Sequence, residues 1–276
     1  MIEDRCGHAI VTIAMGSDPS YRYGIASMEG YASRVGAKLI VIREPVIPVE
    51  GLSDTRHIAW LQKIFALQLV RHYKSILYVD ADILITPKAP DLFRLMKSLN
   101  AKCAMYDEGH LGRKHYGNRL QQIVKQPLPD DLFDLYFNAG VIYLSNDGDL
   151  DRKLKSEDVK AAMKGGVACP EQTWLNYLIH WKTLNITSLE RKYNFMEEKD
   201  GDIASRLDAY FIHYAGYSFR KSKRQKRVDV MRADYFRLFE KKSSFGVIEY
   251  VASSIRDKLT GLFWSLNKKI SRLRFR

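Results

Sequence analysis

Apolar positions along the chain fall into two rhythms. His8 to Ala14, HAIVTIA, is a near-continuous β-branched run closed by Met-Gly-Ser-Asp-Pro, the pattern of a strand buried on both faces and followed by a turn. Residues 20–35 change to helical spacing, and Ala37 to Arg43, AKLIVIR, returns to the pattern of a buried strand. Strand, helix and strand in that order predict a parallel sheet. Ile58 to His72 has apolar residues at helical spacing and leads into ILYVDADILI, residues 76–85, whose Ile76 to Val79 predicts another parallel strand. Asp91 to Leu99 reads as a short helix, Ala101 to Tyr106 as a strand, and YFNAGVIYL (Tyr136 to Leu144) as a strand with a small-residue interruption. Pro127-Leu128-Pro129-Asp130-Asp131 marks a loop, 151–164 and 171–181 are helical, and Phe211 to Tyr214 is a short apolar segment. No internal repeat interrupts this order before Arg220. The expected architecture is an α/β domain with a mostly parallel sheet over residues 1–218 and a basic extension over 219–276.

Composition narrows the class. A chain of 276 residues with 46% hydrophobic content has the make-up of a packed globule. The formal charge of +12 is not spread evenly: from Phe219 onward there are 17 Lys/Arg against 5 Asp/Glu, so residues 1–218 hold 27 of each sign. Cys6, Cys103 and Cys169 are widely separated with no CxxC pair, which points to reduced thiols in a cytosolic setting. The start, MIEDRCGHAIVTIAMG, lacks the basic opening and cleavage site of a secretory signal. No apolar run reaches 18 residues, so no membrane-spanning helix is expected.

Chemistry enters at ILYVDADILI, where Asp80 and Asp82 interrupt an otherwise apolar segment. In an extended chain, side chains two apart share a face, and ligands of open parallel sheets bind at the carboxyl ends of strands. Two carboxylates converging there repel unless a positive group lies between them, and hard oxygen ligands favour Mg²⁺ or Mn²⁺. The small spacer Ala81 allows a sugar or nucleotide close to the backbone. The plainer alternative is a strand ending in a polar turn, each aspartate capping a local N–H.

The segment LQKIFALQLVRHYKSILYVDADILI resembles glycosyltransferase family 8, the relatives of glycogenin and of bacterial lipopolysaccharide galactosyltransferases. Further likenesses follow in the family's order: YFNAG (Tyr136 to Gly140), EQTWLN (Glu171 to Asn176), KYNF (Lys192 to Phe195) and HYAG (His213 to Gly216). The resemblance implies a GT-A, Rossmann-like fold that uses a UDP-sugar and retains configuration at the anomeric carbon. It implies that Asp80, Asp82 and His213 ligate Mn²⁺, or Mg²⁺, with the histidine better suited to Mn²⁺. It also places Lys63 against a phosphate or the donor sugar, and Gly216 among the donor-binding positions. Near the start, VTIAMGSDPSYRYG resembles the turn that cradles uracil, with Ala14 and Gly16 permitting close approach and Tyr21 stacking on the base. Asn138 would present its amide to sugar hydroxyls, Glu171 would orient them, and the Gln172 carbonyl would sit beneath the anomeric carbon. Each has a plainer reading: His213 in a core, Lys63 on a solvated face, Tyr21 as packing, Pro170-Glu171 as a helix start. The chain departs from the family where a lysine usually stands six residues after the histidine; that position is Phe219, with Arg220 and Lys221 next as replacements at the diphosphate.

The extension carries a second signal. RKSKRQKR, residues 220–227, is a cationic run, and Ile248, Val251, Ile255, Leu259, Leu262, Leu266 and Ile270 step by three or four beside further Lys and Arg. Such a helix suits an anionic membrane surface, the alternative being a helix packed on its own domain. The resulting expectation is a cytoplasmic, peripherally membrane-associated enzyme acting on a glycan or glycolipid acceptor, with nucleic acid disfavoured as partner. Two competing readings stay open: a haloacid dehalogenase-like phosphatase, which needs its DxD on the first strand, and a lipid- or nucleic-acid-binding protein acting through the tail alone.

Overall fold

The computed structural model describes residues 6–49, 55–109, 117–124, 134–147, 150–181, 186–196, 203–216, 218–219 and 225–239. The loop expected at 127–131, Arg220, Lys221 and the stripe from Ile248 to Ile270 lie outside the described residues.

Strand β1 (Cys6–Ile13), helix α1 (Tyr21–Val35) and strand β2 (Ala37–Ile42) form the expected right-at-the-start β-α-β unit. Helix α1 stops at Gly36, which takes φ 64° and turns its N–H back to the Ala32 carbonyl, a left-handed cap that glycine adopts at low cost. Then come α2 (Thr55–Gln68), a 3₁₀ turn at Leu69–His72, and β3 (Tyr73–Val79). Short β4 (Ile83–Ile85) precedes α3 (Leu92–Ser98), whose Asp91 cap accepts the Arg94 N–H at 3.0 Å. The chain continues through β5 (Cys103–Asp107), α4 (Gly117–Val124), β6 (Phe137–Ser145), α5 (Leu150–Lys153), α6 (Ser156–Lys164), α7 (Pro170–Trp181), β7 (Thr187–Ser188), β8 (Phe211–His213) and α8 (Arg227–Phe239).

Six strands form one sheet in the order β2-β1-β3-β6-β5-β7. The pairings β1–β2, β1–β3 and β5–β7 are parallel, whereas β6 runs antiparallel to both neighbours. Alternation along the strands explains the two-sided core. Ala9, Val11, Ile76 and Tyr78 face α2, α6 and α7, while Ile10, Leu77 and Val79 face α1 and α3. Strand β2 differs from its expected full burial. It is the sheet edge, and most of its residues are only partly covered.

ILYVDADILI is two strands rather than one. Asp80, Ala81 and Asp82 form a turn closed by the Ile83 N–H on the Asp80 carbonyl at 3.1 Å, and β4 leaves the main sheet to pair antiparallel with β8. Helix α1 backs onto this turn. A Cβ on Gly24 would stand 2.2 Å from the Ala81 carbonyl oxygen, so only glycine allows the approach.

Packing also runs past residue 218, where the charge pattern suggested a boundary. Phe219 and the α8 residues Val228, Val230 and Met231 are buried with Tyr23, Leu84, Ile212 and Tyr214. Helix α8 is pinned by Asp234, which is fully buried and accepts Arg206 Nε at 2.7 Å and the Tyr214 hydroxyl at 2.8 Å. No helix among the described residues is long and apolar enough to cross a membrane.

Candidate active site

Asp80, Asp82 and His213 meet at one point because of strand pairing, not because of a strand's pleat. In the β4–β8 ladder His213 lies opposite Ile83, directly after the turn, and the Tyr214 N–H bonds the Asp82 carbonyl at 3.0 Å. Antiparallel β6 brings its own beginning to the end of β3, where the Asp80 N–H bonds the Gly140 carbonyl at 2.8 Å. The imidazole fits beside Gly140 because that residue has no side chain; a Cβ there would stand 2.4 Å from His213 Cε1.

Each aspartate has one oxygen held by the protein and one facing the histidine. Asp80 Oδ1 accepts the Tyr78 hydroxyl at 2.6 Å and pairs with Lys63 at 3.3 Å, while Oδ2 lies 3.9 Å from His213 Nε2. Asp82 Oδ2 takes the Arg227 guanidinium, and its Oδ1 lies 3.5 Å from His213 Nε2. Burial alone would raise the Asp82 carboxyl, but contact with the His213 ring when it carries both protons, and with Arg227, outweighs it and holds the group well below the usual carboxylate range. One ligand atom from each of the three residues lies within 4.8 Å of the others, a set that can hold a metal ion.

The tautomer of His213 follows from a chain of hydrogen bonds. Asn138 Oδ1 accepts the Gly140 N–H at 2.8 Å, which fixes the orientation of that amide. Asn194 therefore donates its Nδ2 to Asn138 Oδ1 at 2.8 Å, and its own Oδ1 must accept from His213 Nδ1 at 2.8 Å. The proton sits on Nδ1, so in the neutral imidazole the Nε2 lone pair points at the two free carboxylate oxygens. The chain runs on: Asn138 Nδ2 donates to Glu108 Oε2 at 3.2 Å, and Gln172 Nε2 donates to Glu108 Oε1 at 3.1 Å. Glu108, Asn138, Gln172, Asn194 and His213 are all buried.

A cleft of 910 Å³ opens over this corner. Of the positions singled out in the sequence, Gly16, Tyr21, Lys63, Ala81, Gly216 and the site residues just described line it, as does Glu171. Ala14 does not: it is buried behind the turn against Ile25 and Ala81. The amide of Asn138 has both oxygen lone pairs engaged, and its two N–H groups face Glu108 Oε2 at 3.2 Å and, as a weaker acceptor, Met196 Sδ at 3.7 Å. The Gln172 carbonyl already accepts the Ala139 N–H at 2.9 Å, which leaves it one lone pair.

Lys63 is not on a solvated face. It is buried, and its three N–H groups have Asp80, Glu171 at 3.5 Å and the Ala139 carbonyl at 3.1 Å as partners. Burial works against its charge, yet the two carboxylates outweigh this and raise its pKa. Glu171 does begin a helix, as the Pro-Glu pair allows, and is also buried in the cleft wall. Burial pushes its carboxyl above the ordinary 4.5 despite Lys63, and its Oε2 has no hydrogen-bond partner among the described residues.

Four participants were not singled out in the sequence. Asn194 lay inside the quoted KYNF segment without a role. Glu108 follows a strand end, and Asp18 sits in the first turn, where it accepts Ser20 N–H and O–H at 2.9 and 2.6 Å. Arg227 was the last member of a run read as a solvated or membrane-facing segment. Only the apolar helical pattern immediately after it signalled that the chain there folds back.

A model of the family described as Glycosyl transferase family 8 matches residues 48–219. The chain belongs to glycosyltransferase family 8. It is therefore a glycosyltransferase, of a family that takes a nucleotide-sugar donor and a glycan acceptor and is generally metal-dependent. Two solved structures share the GT-A fold. One is a glycosyltransferase involved in the glycosylation of the major capsid of PBCV-1, with TM-score 0.54 and 15% identity, covering 83% of this chain and 99% of that one. The other is the WbbM bifunctional glycosyltransferase in its apo form, with TM-score 0.53 and 14% identity over 92% of this chain and 52% of that one. At such identities the likeness speaks for the fold alone. None of the curated proteins matches this chain.

Proposed function

We propose that this enzyme moves a hexose from a UDP-sugar to a glycan or glycolipid acceptor with retention at the anomeric carbon, using Mn²⁺ held by Asp80, Asp82 and His213. The observation that carries the reading is the arrangement of three ligand atoms in one cleft, each aspartate presenting a free oxygen and His213 presenting Nε2. The donor set fits the ion: two hard carboxylate oxygens and one imidazole nitrogen suit Mn²⁺, and Mg²⁺ less well. When bound, the ion supplies positive charge where the departing diphosphate gains negative charge.

The chain's own residues do the rest. Asn194 keeps His213 in the tautomer that leaves Nε2 free. Glu108 holds the amides of Asn138 and Gln172 in one orientation, so the remaining Gln172 lone pair is pre-set, and the Asn138 N–H on Met196 Sδ can be reached by a sugar hydroxyl only by displacing that weak contact. Glu171 Oε2, buried and without a partner among the described residues, is suited to accept a donor-sugar hydroxyl. Gly16, Tyr21 and Gly216 line the part of the cleft where base and phosphates would lie. Residues 1–218 would supply this catalytic unit together with Phe219 and α8, which pack on it, and the rest of the basic extension 219–276 would add attachment to an anionic membrane surface from the cytoplasmic side.

The test is a panel of sugar nucleotides incubated with the protein, Mn²⁺ and several acceptors, scoring released nucleoside diphosphate. Turnover is expected with a UDP-hexose and is lost on chelation. If no nucleotide sugar is bound or turned over, the reading fails.

A further inference from the structure

We propose that Arg227, delivered by α8, is the residue through which this enzyme grips the donor's diphosphate, so that α8 belongs to the active site. The inference rests on the nucleotide-sugar reading above and adds a specific residue to it.

Three observations carry it. First, Arg227 lines the same cleft as Asp80, Asp82 and His213, and it bonds Asp82 through one terminal nitrogen and Asp18 through the other. A guanidinium has five N–H donors, so these two bonds leave most of its fork available. Its Nε is buried and has no hydrogen-bond partner among the described residues. Second, the other cation deep in the cleft is committed elsewhere. Lys63 has one partner for each of its three N–H groups, and all three are protein oxygens. Arg56 stands exposed at the start of α2. Third, the place where a diphosphate-binding lysine was expected holds Phe219, which is buried and stacked on Phe195 with ring centroids 6.0 Å apart. That aromatic side chain forms part of the apolar seat on which α8 docks.

The electrostatics give the sequence of events. With no ligand bound, Arg227 compensates two carboxylates that would otherwise repel, which holds it at the rim. With Asp80, Asp82 and His213 holding a cation, Arg227 would no longer be needed to compensate both carboxylates. An incoming diphosphate then competes with Asp18 for the planar fork, a geometry that suits phosphate as well as carboxylate.

The experiment titrates the full-length chain with UDP, GDP and ADP, each with Mn²⁺, and measures Mn²⁺ binding alone by electron paramagnetic resonance. Wild type is compared with Arg227→Gln and Arg227→Lys, with melting curves for all three. Arg227→Gln is expected to bind Mn²⁺ as tightly as wild type or more tightly, because a neighbouring positive charge is gone. Its nucleoside diphosphate affinity should fall on the order of tenfold to a hundredfold. Arg227→Lys should fall between the two, and it carries the test if the glutamine variant melts early. Equal nucleotide binding by wild type and Arg227→Gln would overturn the proposal and leave the donor reading standing. A parallel loss of Mn²⁺ affinity would overturn it too, by showing that Arg227 serves only to orient Asp82. Absence of nucleotide binding in the wild type itself would remove the donor reading, and this proposal with it.

Discussion

Two corners of one cleft are built on different principles. The acidic corner, Asp18, Asp80 and Asp82, is held by charge: Lys63 pins one oxygen of Asp80 and Arg227 one of Asp82, each leaving the other facing His213, while Arg227 and Ser20 together engage both oxygens of Asp18. The amide corner, Asn138, Asn194, Gln172 and Glu108, is held by hydrogen-bond direction, each link fixing the next. His213 belongs to both, with Nδ1 in the amide chain and Nε2 facing the acids. A charge-balanced corner can exchange one cation for another, whereas a directional corner has a single satisfied arrangement. The first is therefore suited to receiving a ligand, and the second to holding its neighbours still.

Substitutions should separate the two. The largest expected effect is on cation binding by Asp82→Asn, which keeps the shape and removes the charge. Mn²⁺ affinity should drop by more than about a hundredfold, beyond the loss usual for an outer partner, while stability falls by less than the ~3–5 kcal/mol of a broken buried pair because Asp18 still pairs with Arg227. A variant that loses stability but keeps its Mn²⁺ affinity would show the acidic corner to be structural.

Asn194→Leu probes the directional corner. It strands the His213 Nδ1–H and one lone pair of Asn138, at a cost of about 1–3 kcal/mol, and it should weaken Mn²⁺ binding by about tenfold to a hundredfold by freeing the tautomer. Nitrogen-15 NMR of the metal-free protein reads the tautomer directly. Wild type should carry the proton on Nδ1, and finding it on Nε2 would break the comparison.

Gly140→Ala acts where the corners join. Its Cβ would press on the His213 ring and on Asn138 Oδ1 at 2.9 Å, so about 1–3 kcal/mol of stability should be lost together with cation affinity. Thermal melts with and without Mn²⁺ check both.

The smallest effect is that of pH through Glu171. Its folded pKa is raised above 4.5 by burial, so the folded chain holds that proton more tightly than the unfolded one. The contribution is fully present below the ordinary glutamate value and is lost as pH rises through the raised folded value. Glu171→Gln should flatten this part of the stability curve by on the order of 1 kcal/mol in denaturant titrations at acid and neutral pH.

Much of the frame was legible in the residues. Periodicity is local, so HAIVTIA, the 20–35 helix and Ile76 to Val79 announced the β-α-β unit and the strand that ends at the aspartates. Chemistry quoted in short segments, the DxD turn with FNAG, EQ and HYAG, pointed to the side chains that line one cleft. What periodicity cannot carry is pairing between distant segments. That β6 runs antiparallel, that β4 leaves the sheet to meet β8, and that the aspartates share a side by a turn rather than a pleat were all decided by tertiary packing.

Arg227 shows the division most clearly. By sequence it ends a cationic run, a local property. By fold it stands 145 residues from Asp82 and 209 from Asp18, and bonds both. The amino-acid order determined which groups exist and the rhythm of the elements that carry them. Only the tertiary structure decided which charge neutralises which and which amide faces which ring, because electrostatic and hydrogen-bond partners are chosen by distance in space.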